Sequence, residues 1–463
     1  MKLFYMYKED TIAAIATPIG EGGVGIVRVS GADAERIATA IFLKAQGKNG
    51  KLKSHKLYYG TIRDPKTDKI LDQALLTIMH KPHSYTGEDV LEVHCHGGVF
   101  VVHRILGVVL AQGARHADPG EFTKRAFLNG RLDLAQAEAV LDLVAARTEK
   151  GVDLALSQIN GELSNWVSDL REQLLDILAQ IEAAIDFPEE EIELVEGSAL
   201  IAKIDGLREK INAILRTYEW GRLFREGARV CICGRPNVGK SSLFNALVGE
   251  ERAIVTPIPG TTRDVIEESI NLDGLPTVLS DTAGIRDATD EVERIGVNLS
   301  RVNFEKAEAV IVVLDGSVAI TAEDRTFLSS TTNKMGLIAI NKIDLEQRVD
   351  RGQLRQFVGN KKILPVSATK GHAIQELRKS LRELILHTDA EPPFVITNLR
   401  HKTALSCGEQ ALADAGLALE QMQPPEVVAV ALQQAKESLE EVIGLIRKED
   451  ILELIFGKFC IGK

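Results

Sequence analysis

The sequence is poor in residues that would staple the chain or anchor it. It has five cysteines, Cys95, Cys231, Cys233, Cys407 and Cys460, an odd and scattered set. That excludes a disulfide framework and points to a reducing compartment, the cytoplasm. Long apolar runs are lacking. The stretch over residues 12–29 is broken by Pro18, Gly20, Glu21, Gly22 and Gly23, so neither a signal peptide nor a membrane span is expected. Aromatics make up only 5%, which predicts much helix packed with Leu, Ile, Val and Ala. Neither short-period repeats nor low-complexity tracts occur. Positive charge is also in deficit, with 55 Lys and Arg against 66 Asp and Glu, a net of −11. A wholesale nucleic-acid coat protein is thereby disfavoured. The deficit is uneven: residues 1–125 carry 17 cations and 13 acids, a net of +4, and the rest carries −15.

What is present is enough chain for roughly three domains at about 150 residues each. Residues 10–125 read as mixed α/β, with strands over 11–16, 25–29, 56–62, 73–79 and 90–95 and helices over 32–42 and 98–110. Long helices follow. Leu163, Val167, Leu170, Leu174, Ile177, Leu178 and Ile181 recur at helical spacing, and Pro188 stops that helix before the acidic run 189–193. A further helix is expected from about Ser198 to Trp220. From Arg229, short apolar strands alternate with helices, over 229–233, 277–281, 309–315, 337–341 and 363–367, the pattern of a doubly wound parallel sheet. The segment Glu391-Pro392-Pro393 reads as a linker, and the tail returns to helix. The simplest organisation is an N-terminal domain (1–125), a helical domain in two halves (126–221 and 389–463), and an α/β domain (222–388) inserted between the halves.

The strongest chemical signal is Gly234-Arg235-Pro236-Asn237-Val238-Gly239-Lys240-Ser241, which fills G-x-x-x-x-G-K-[ST] between a strand and a helix. Such a loop wraps phosphate oxygens in backbone N–H groups at a helix N-terminus. Lys240 is expected on the β/γ-phosphates, and the Ser241 hydroxyl, followed by Ser242, on Mg²⁺. Asp281-Thr282-Ala283-Gly284 ends the next strand, where the Asp holds Mg²⁺ through water and the Gly284 N–H meets the γ-phosphate. Asn341-Lys342-Ile343-Asp344 ends another. Its Asp344 carboxylate accepts two hydrogens from the guanine edge that adenine does not offer. Ser367-Ala368-Thr369 backs the same base. The order resembles the small GTPases and favours GTP. Between these motifs, Thr256-Pro257-Ile258-Pro259-Gly260-Thr261-Thr262 reads as a switch loop, with Thr262 as the Mg²⁺ ligand. Asn237 and the loop's carbonyls are suited to a monovalent cation. Ile285 stands where Ras-like enzymes place a water-orienting Gln, and Ile cannot orient water. Asp290, Glu291 and Glu293 are the candidate replacements.

Motifs outside this block make the resemblance specific. They include Ala16-Thr17-Pro18, the glycine-rich run 22–31, Ser84-Tyr85-Thr86-Gly87-Glu88-Asp89-Val90, Pro119-Gly120-Glu121-Phe122-Thr123, Leu132-Asp133-Leu134-Ala135-Gln136-Ala137-Glu138, and a terminal Phe459-Cys460-Ile461-Gly462-Lys463. Over essentially its whole length the chain resembles the MnmE (TrmE) family of tRNA-modification GTPases. The resemblance implies an α+β N-terminal domain that binds a tetrahydrofolate derivative (5-formyl- or 5,10-methylene-tetrahydrofolate) and forms a homodimer. Arg28, Glu92, Arg131 and Lys463 fall on the folate-contact positions. It implies K⁺ at Asn237, Thr256, Ile258 and Thr261, Mg²⁺ at Ser241 and Thr262, and Glu293 as the catalytic carboxylate. It also implies an FAD-containing partner, MnmG (GidA). With it the family adds a carboxymethylaminomethyl-type group at C5 of the wobble uridine of certain tRNAs.

Two other function classes compete. One is a ribosome-assembly or signalling switch, which would carry an RNA-binding domain; no G-x-x-G clamp in a KH-like setting is seen. The other is a folate-dependent aminomethyltransferase regulated by its GTPase block. His94-Cys95-His96 reads as a strand-to-turn position rather than a metal site, because adjacent ligands cannot all face one ion. Cys231 and Cys233, two apart in a strand, are expected in a core. Cys460 reads chiefly as tail packing.

Overall fold

The computed structural model describes residues 10–45, 51–186, 197–249, 267–281, 304–387, 392, 394–446 and 449–463. The chain divides into two compact units. The first comprises residues up to 141, 158–169 and 440–463, and the second comprises 142–157 and 170–439.

The first unit is built on β1 (Ile12–Ile15), β2 (Gly22–Ser30), α1 (Ala34–Ile41), β3 (Phe42–Lys44), β4 (Lys56–Arg63), β5 (Ile70–Met79), β6 (Val90–Gly97), α2 (Val99–Ala111), β7 (Arg115–His116) and α3 (Glu121–Leu128). The seven strands form one sheet in the order β3-β4-β5-β6-β2-β1-β7. All its pairings are antiparallel except β1 with β7. Strand alternation sorts the residues. Val27 and Val29, Val93 and Cys95, Leu76 and Ile78 bury against α1 and α2. Arg28, Glu92 and His94 project from the opposite side. A second apolar cluster joins Phe127 to Leu452, Ile455, Phe456 and Phe459, which pins the C-terminal segment to this unit.

The α/β block lies in the second unit. After α4 (Leu134–Ala145), α5 (Glu149–Ile159), α6 (Glu162–Asp186), α7 (Gly197–Leu215) and α8 (Tyr218–Glu226) come β8 (Ala228–Cys233), α9 (Lys240–Gly249), β9 (Glu267–Leu272), β10 (Leu275–Asp281), β11 (Ala309–Asp315), α10 (Ala322–Ser330), β12 (Gly336–Asn341), α11 (Arg351–Val358), β13 (Ile363–Pro365) and α12 (Ile374–Leu386). Three helices close the chain: α13 (Leu399–Glu420), α14 (Pro425–Ile443) and α15 (Glu449–Phe456). The six strands run β13-β12-β11-β8-β10-β9, parallel except for the β9–β10 hairpin. Apolar residues cover both faces, as a parallel sheet requires. Cys231 and Cys233 lie side by side in one of those cores, and burial pushes both thiols up, Cys231 to about 11.

The helix expected from Ser198 to Trp220 is two helices. The chain breaks at Arg216-Thr217, where the Thr217 hydroxyl donates to Ile214 O and α8 restarts. The strand expected over 363–367 ends at Pro365, and Ser367 pairs only with His372. The acidic run 189–193 and most of the Glu391–Pro393 linker lie outside the described residues. Among the described residues, no helix is long and apolar enough to cross a membrane.

Candidate nucleotide and folate sites

The phosphate loop leaves β8 through Gly234, at φ 145°, and turns at Asn237 (φ 66°) and Gly239 (φ 96°) before α9 begins at Lys240. These left-handed angles explain two of the fixed glycines. A Cβ on Gly234 would meet Val313 O at 2.5 Å, and one on Gly239 would meet Asn341 Nδ2 at 2.2 Å. Lys240 is buried and donates through Nζ to Arg235 O at 3.0 Å. Burial lowers its pKa, opposed by the charge of Asp281. The Ser241 hydroxyl donates to Asp281 Oδ2 at 3.2 Å. The two groups expected around Mg²⁺ are thus already neighbours, one at the helix start and one at the end of β10. A hydroxyl and a carboxylate are hard oxygen donors that fit such an ion.

The residues expected to read the base are tied to the same loop. Asn341 Nδ2 donates to Val238 O at 3.0 Å, and its Oδ1 accepts from Ala368 N at 3.0 Å. Lys342, at φ 64°, donates to Asn237 O at 2.9 Å and to Asp315 Oδ2 at 2.6 Å. Asp344 accepts from the Ser367 hydroxyl at 2.6 Å, and that bond holds its carboxyl below the ordinary range. The strand ends β8, β10, β11 and β12 thereby converge on one arc, the crevice where doubly wound sheets take their ligands.

Two supports were not read from the sequence. Asp315 steers Lys342, and Arg235 Nε donates to the buried Asp324 at 3.0 Å. Asp324 also closes the N-terminal capping box of α10 with Thr321. The signal for Asp315 was its place at a strand end. Nothing local marks Arg235, whose partner is 89 residues away. The switch residues Thr256, Pro257, Ile258, Pro259, Gly260, Thr261 and Thr262, the turn Thr282-Ala283-Gly284, and Ile285, Asp290, Glu291 and Glu293 lie outside the described residues.

In the first unit, Arg28 is the hub. Its Nε donates to Glu92 Oε1 at 2.9 Å and its Nη1 to Gly462 O at 3.1 Å. The guanidinium lies 5.9 Å from the Tyr85 ring centroid and 5.7 Å from that of Phe122. His94 Nε2 bonds the other Glu92 oxygen at 3.1 Å. The tail docks by Phe122 N–H donating to Lys463 O at 3.2 Å. Burial lowers the Lys463 ammonium pKa, and the charge of Arg28 adds to this. Arg131 joins through Ser84 O at 3.1 Å, next to Tyr85. The four residues expected to contact folate thus lie on one linked set of contacts, with one carboxylate among three cations. That set fits an aminopyrimidinone edge and an anionic tail. His96 turns instead to Asp72, at 2.7 Å, and Cys95 is buried on the other face.

A sequence model of the MnmE helical domain matches residues 134–460, and one of the GTP-binding protein TrmE N-terminus matches 11–131. The chain belongs to the MnmE family. The tRNA modification GTPase MnmE of Alkaliphilus oremlandii is 47% identical over 99% of this chain and 100% of its own length. That of Clostridioides difficile is 44% identical over 99% and 100%. The solved G domain of the T. maritima FeoB iron transporter is 26% identical over 34% of this chain and 98% of that one, with a TM-score of 0.28, too low to bear on the fold.

Proposed function

We propose that the chain is the GTP-hydrolysing component of a tRNA-modification system. With an FAD-containing partner of the MnmG type, it adds a carboxymethylaminomethyl group at C5 of the wobble uridine of certain tRNAs. Methylene-tetrahydrofolate is the carbon source. One observation supports this most directly. The phosphate loop, the Mg²⁺ pair Ser241–Asp281 and the guanine-reading Asn341, Lys342 and Asp344 form one hydrogen-bonded arc, in a chain of the MnmE family.

In that arc, backbone N–H groups of the phosphate loop and the Lys240 ammonium take the triphosphate. Asp344 accepts the guanine N–H groups, and Ser367 and Ala368 hold it in place. Ser241 and Thr262 would hold Mg²⁺, and Asn237, Thr256, Ile258 and Thr261 would hold K⁺. Bound there, the two ions would supply positive charge against the phosphoryl oxygens. Glu293 orients the attacking water, the task that Ile285 cannot perform. Arg28, Glu92, Arg131 and Lys463 bind the tetrahydrofolate derivative, which supplies the one-carbon unit. The N-terminal domain forms the homodimer, and K⁺ would favour pairing of its G domains.

The test is GTP turnover in K⁺, Rb⁺ and Na⁺ for the unmutated chain, Asn237→Ala and Glu293→Ala. Stimulation by K⁺ and Rb⁺ over Na⁺ is expected. Asn237→Ala should lose that cation preference, and Glu293→Ala should lose turnover while still binding GTP. Equal rates in K⁺ and Na⁺, together with fully modified wobble uridines in a deletion strain, would overturn the proposal.

A further inference from the structure

The chain as a whole is acidic, yet residues 36–63 contain no Asp or Glu and seven Lys and Arg. The fold places three of them, Lys51, Lys53 and Lys56, at one end of the first unit's sheet. β4 starts at Lys56 and β5 ends at Met79, antiparallel, with Lys56 opposite Ile78. The segment before β4, with Lys51 and Lys53, therefore lies beside the segment after β5, with Lys81 and His83. Lys51, Lys53, Lys56 and Lys81 are exposed, and among the described residues none has a carboxylate partner.

These side chains stand on fixed backbone. Lys53 N–H donates to the Tyr58 hydroxyl at 2.9 Å, His55 N–H to Ile78 O at 2.8 Å and His80 N–H to Ser54 Oγ at 3.0 Å. The Lys44 ammonium sits 4.6 Å from the Tyr58 ring centroid. Asp89, an acid close to this tip, is half-buried and accepts from Lys81 N–H at 2.8 Å and pairs with His80. The far end of the same hairpin is different. There Arg63 pairs with Asp68 at 2.8 Å, and Asp64 caps the turn that carries Lys66. One tip of the hairpin is charge-balanced and the other is left cationic.

Unpaired cations clustered on a chain of net −11 repel one another, and an anionic polymer relieves that repulsion. We propose that the tip formed by residues 51–56 and 80–83 is a docking surface for the phosphate backbone of tRNA. The assignment of RNA rests on the tRNA-modification reading above. A lipid surface fits less well, because the patch sits on strands and tight loops rather than on an amphipathic helix with an apolar face. Phosphate contacts of this kind position a nucleic acid without reading its sequence. The patch therefore serves many tRNAs alike, and selection of the wobble uridine belongs elsewhere.

The experiment compares the full chain with the variant carrying Lys51→Gln, Lys53→Gln, Lys56→Gln and Lys81→Gln. A control carries Lys66→Gln and Lys69→Gln at the balanced tip. Binding of unmodified tRNA is measured by anisotropy across a salt series. Four lost phosphate contacts should flatten the log K against log salt slope by about 3 and weaken binding on the order of 10²-fold at about 0.1 M salt. The control should match the unmutated chain, and GTP turnover should be unchanged in all three. Equal tRNA binding by the patch variant would overturn the proposal, as would no tRNA binding by the unmutated chain. So would a variant that loses binding to phosphatidylglycerol vesicles while keeping tRNA. Failure of the broader reading would show separately, as wobble uridines that stay modified in a deletion strain.

Discussion

Arg125 is the most demanding residue in the first unit, and replacing it with Met tests the reasoning about that fold. It is 2% exposed and carries a guanidinium among three acids. Its Nη1 donates to Asp10 O at 2.9 Å and Glu88 Oε2 at 3.1 Å, and its Nη2 to Asp10 Oδ1 at 2.6 Å and Glu121 Oε1 at 3.0 Å. In Arg125→Met, Asp10 and Glu121 keep Arg115. Glu88 loses the guanidinium and keeps the Ser30 hydroxyl, at 2.6 Å. Removing one side of a buried charge cluster costs about 3–5 kcal/mol, because the remaining charges stay desolvated. In amide exchange that is roughly 10²- to 10⁴-fold faster opening. Exchange on peptides covering β2, β6 and α3 is the suitable assay, since a chain of two units does not unfold as one. The cost has a definite pH signature. Burial raises the Asp10 and Glu121 carboxyls, but the hydrogen bonds they accept outweigh it and hold both below their ordinary values of 3.8 and 4.5. Groups depressed in the fold add stability above those values and lose it as pH falls through the folded pKa. Arg125→Met removes part of that depression. The gap between variant and unmutated chain should be full at pH 7 and narrow below about pH 4.5, where protonation neutralises the acids that Arg125 had faced. Less than tenfold faster exchange, or a gap that ignores pH, would refute the account.

Other substitutions probe the two sites. Gly239→Ala would place a Cβ 2.2 Å from Asn341 Nδ2 at a φ of 96°, so GTP binding should drop beyond detection by calorimetry while the first unit's exchange pattern stays the same. Asp344→Asn replaces an acceptor with an amide that donates toward guanine N–H groups. GTP affinity should fall on the order of 10²-fold and xanthosine triphosphate, whose C2 carbonyl accepts, should bind better than GTP in a competition assay. Gly462→Ala would drive a Cβ to 2.2 Å from Ile15 O at a φ of 99°. The tail should undock, with folate binding weakened at least tenfold by fluorescence titration and GTP turnover of the isolated chain unaltered.

The sequence was most readable where backbone geometry leaves few choices of residue. Gly234, Gly239 and the Lys240-Ser241 helix start are forced by left-handed turns and a phosphate-sized loop, so spacing alone located them. Parallel strands β8, β11 and β12 showed as continuous apolar runs because both faces are covered. β9 escaped for the opposite reason. It is an antiparallel edge strand, Glu267-Glu268-Ser269-Ile270-Asn271-Leu272, in which only Ile270 and Leu272 are buried. The α7–α8 break escaped because Thr217 ends one helix and begins the next with no Gly or Pro to mark it.

Sites assembled across long separations were another matter. Arg28 meets Gly462 across 434 residues, and Arg125 meets Asp10 across 115. No local period encodes such pairs, and the first was legible only through resemblance to a family. The same distance argument explains the coupling inside the nucleotide arc. Lys342 bonds at once to Asp315 at the end of β11 and to the carbonyl of Asn237, the residue assigned to K⁺. On the assignments proposed above, a shift of the Asn341–Asp344 loop would pull on the loop carrying Asn237 through one ammonium group. The Lys342 side chain thus joins the proposed base site to the proposed cation site, a link that neither motif reveals when read alone.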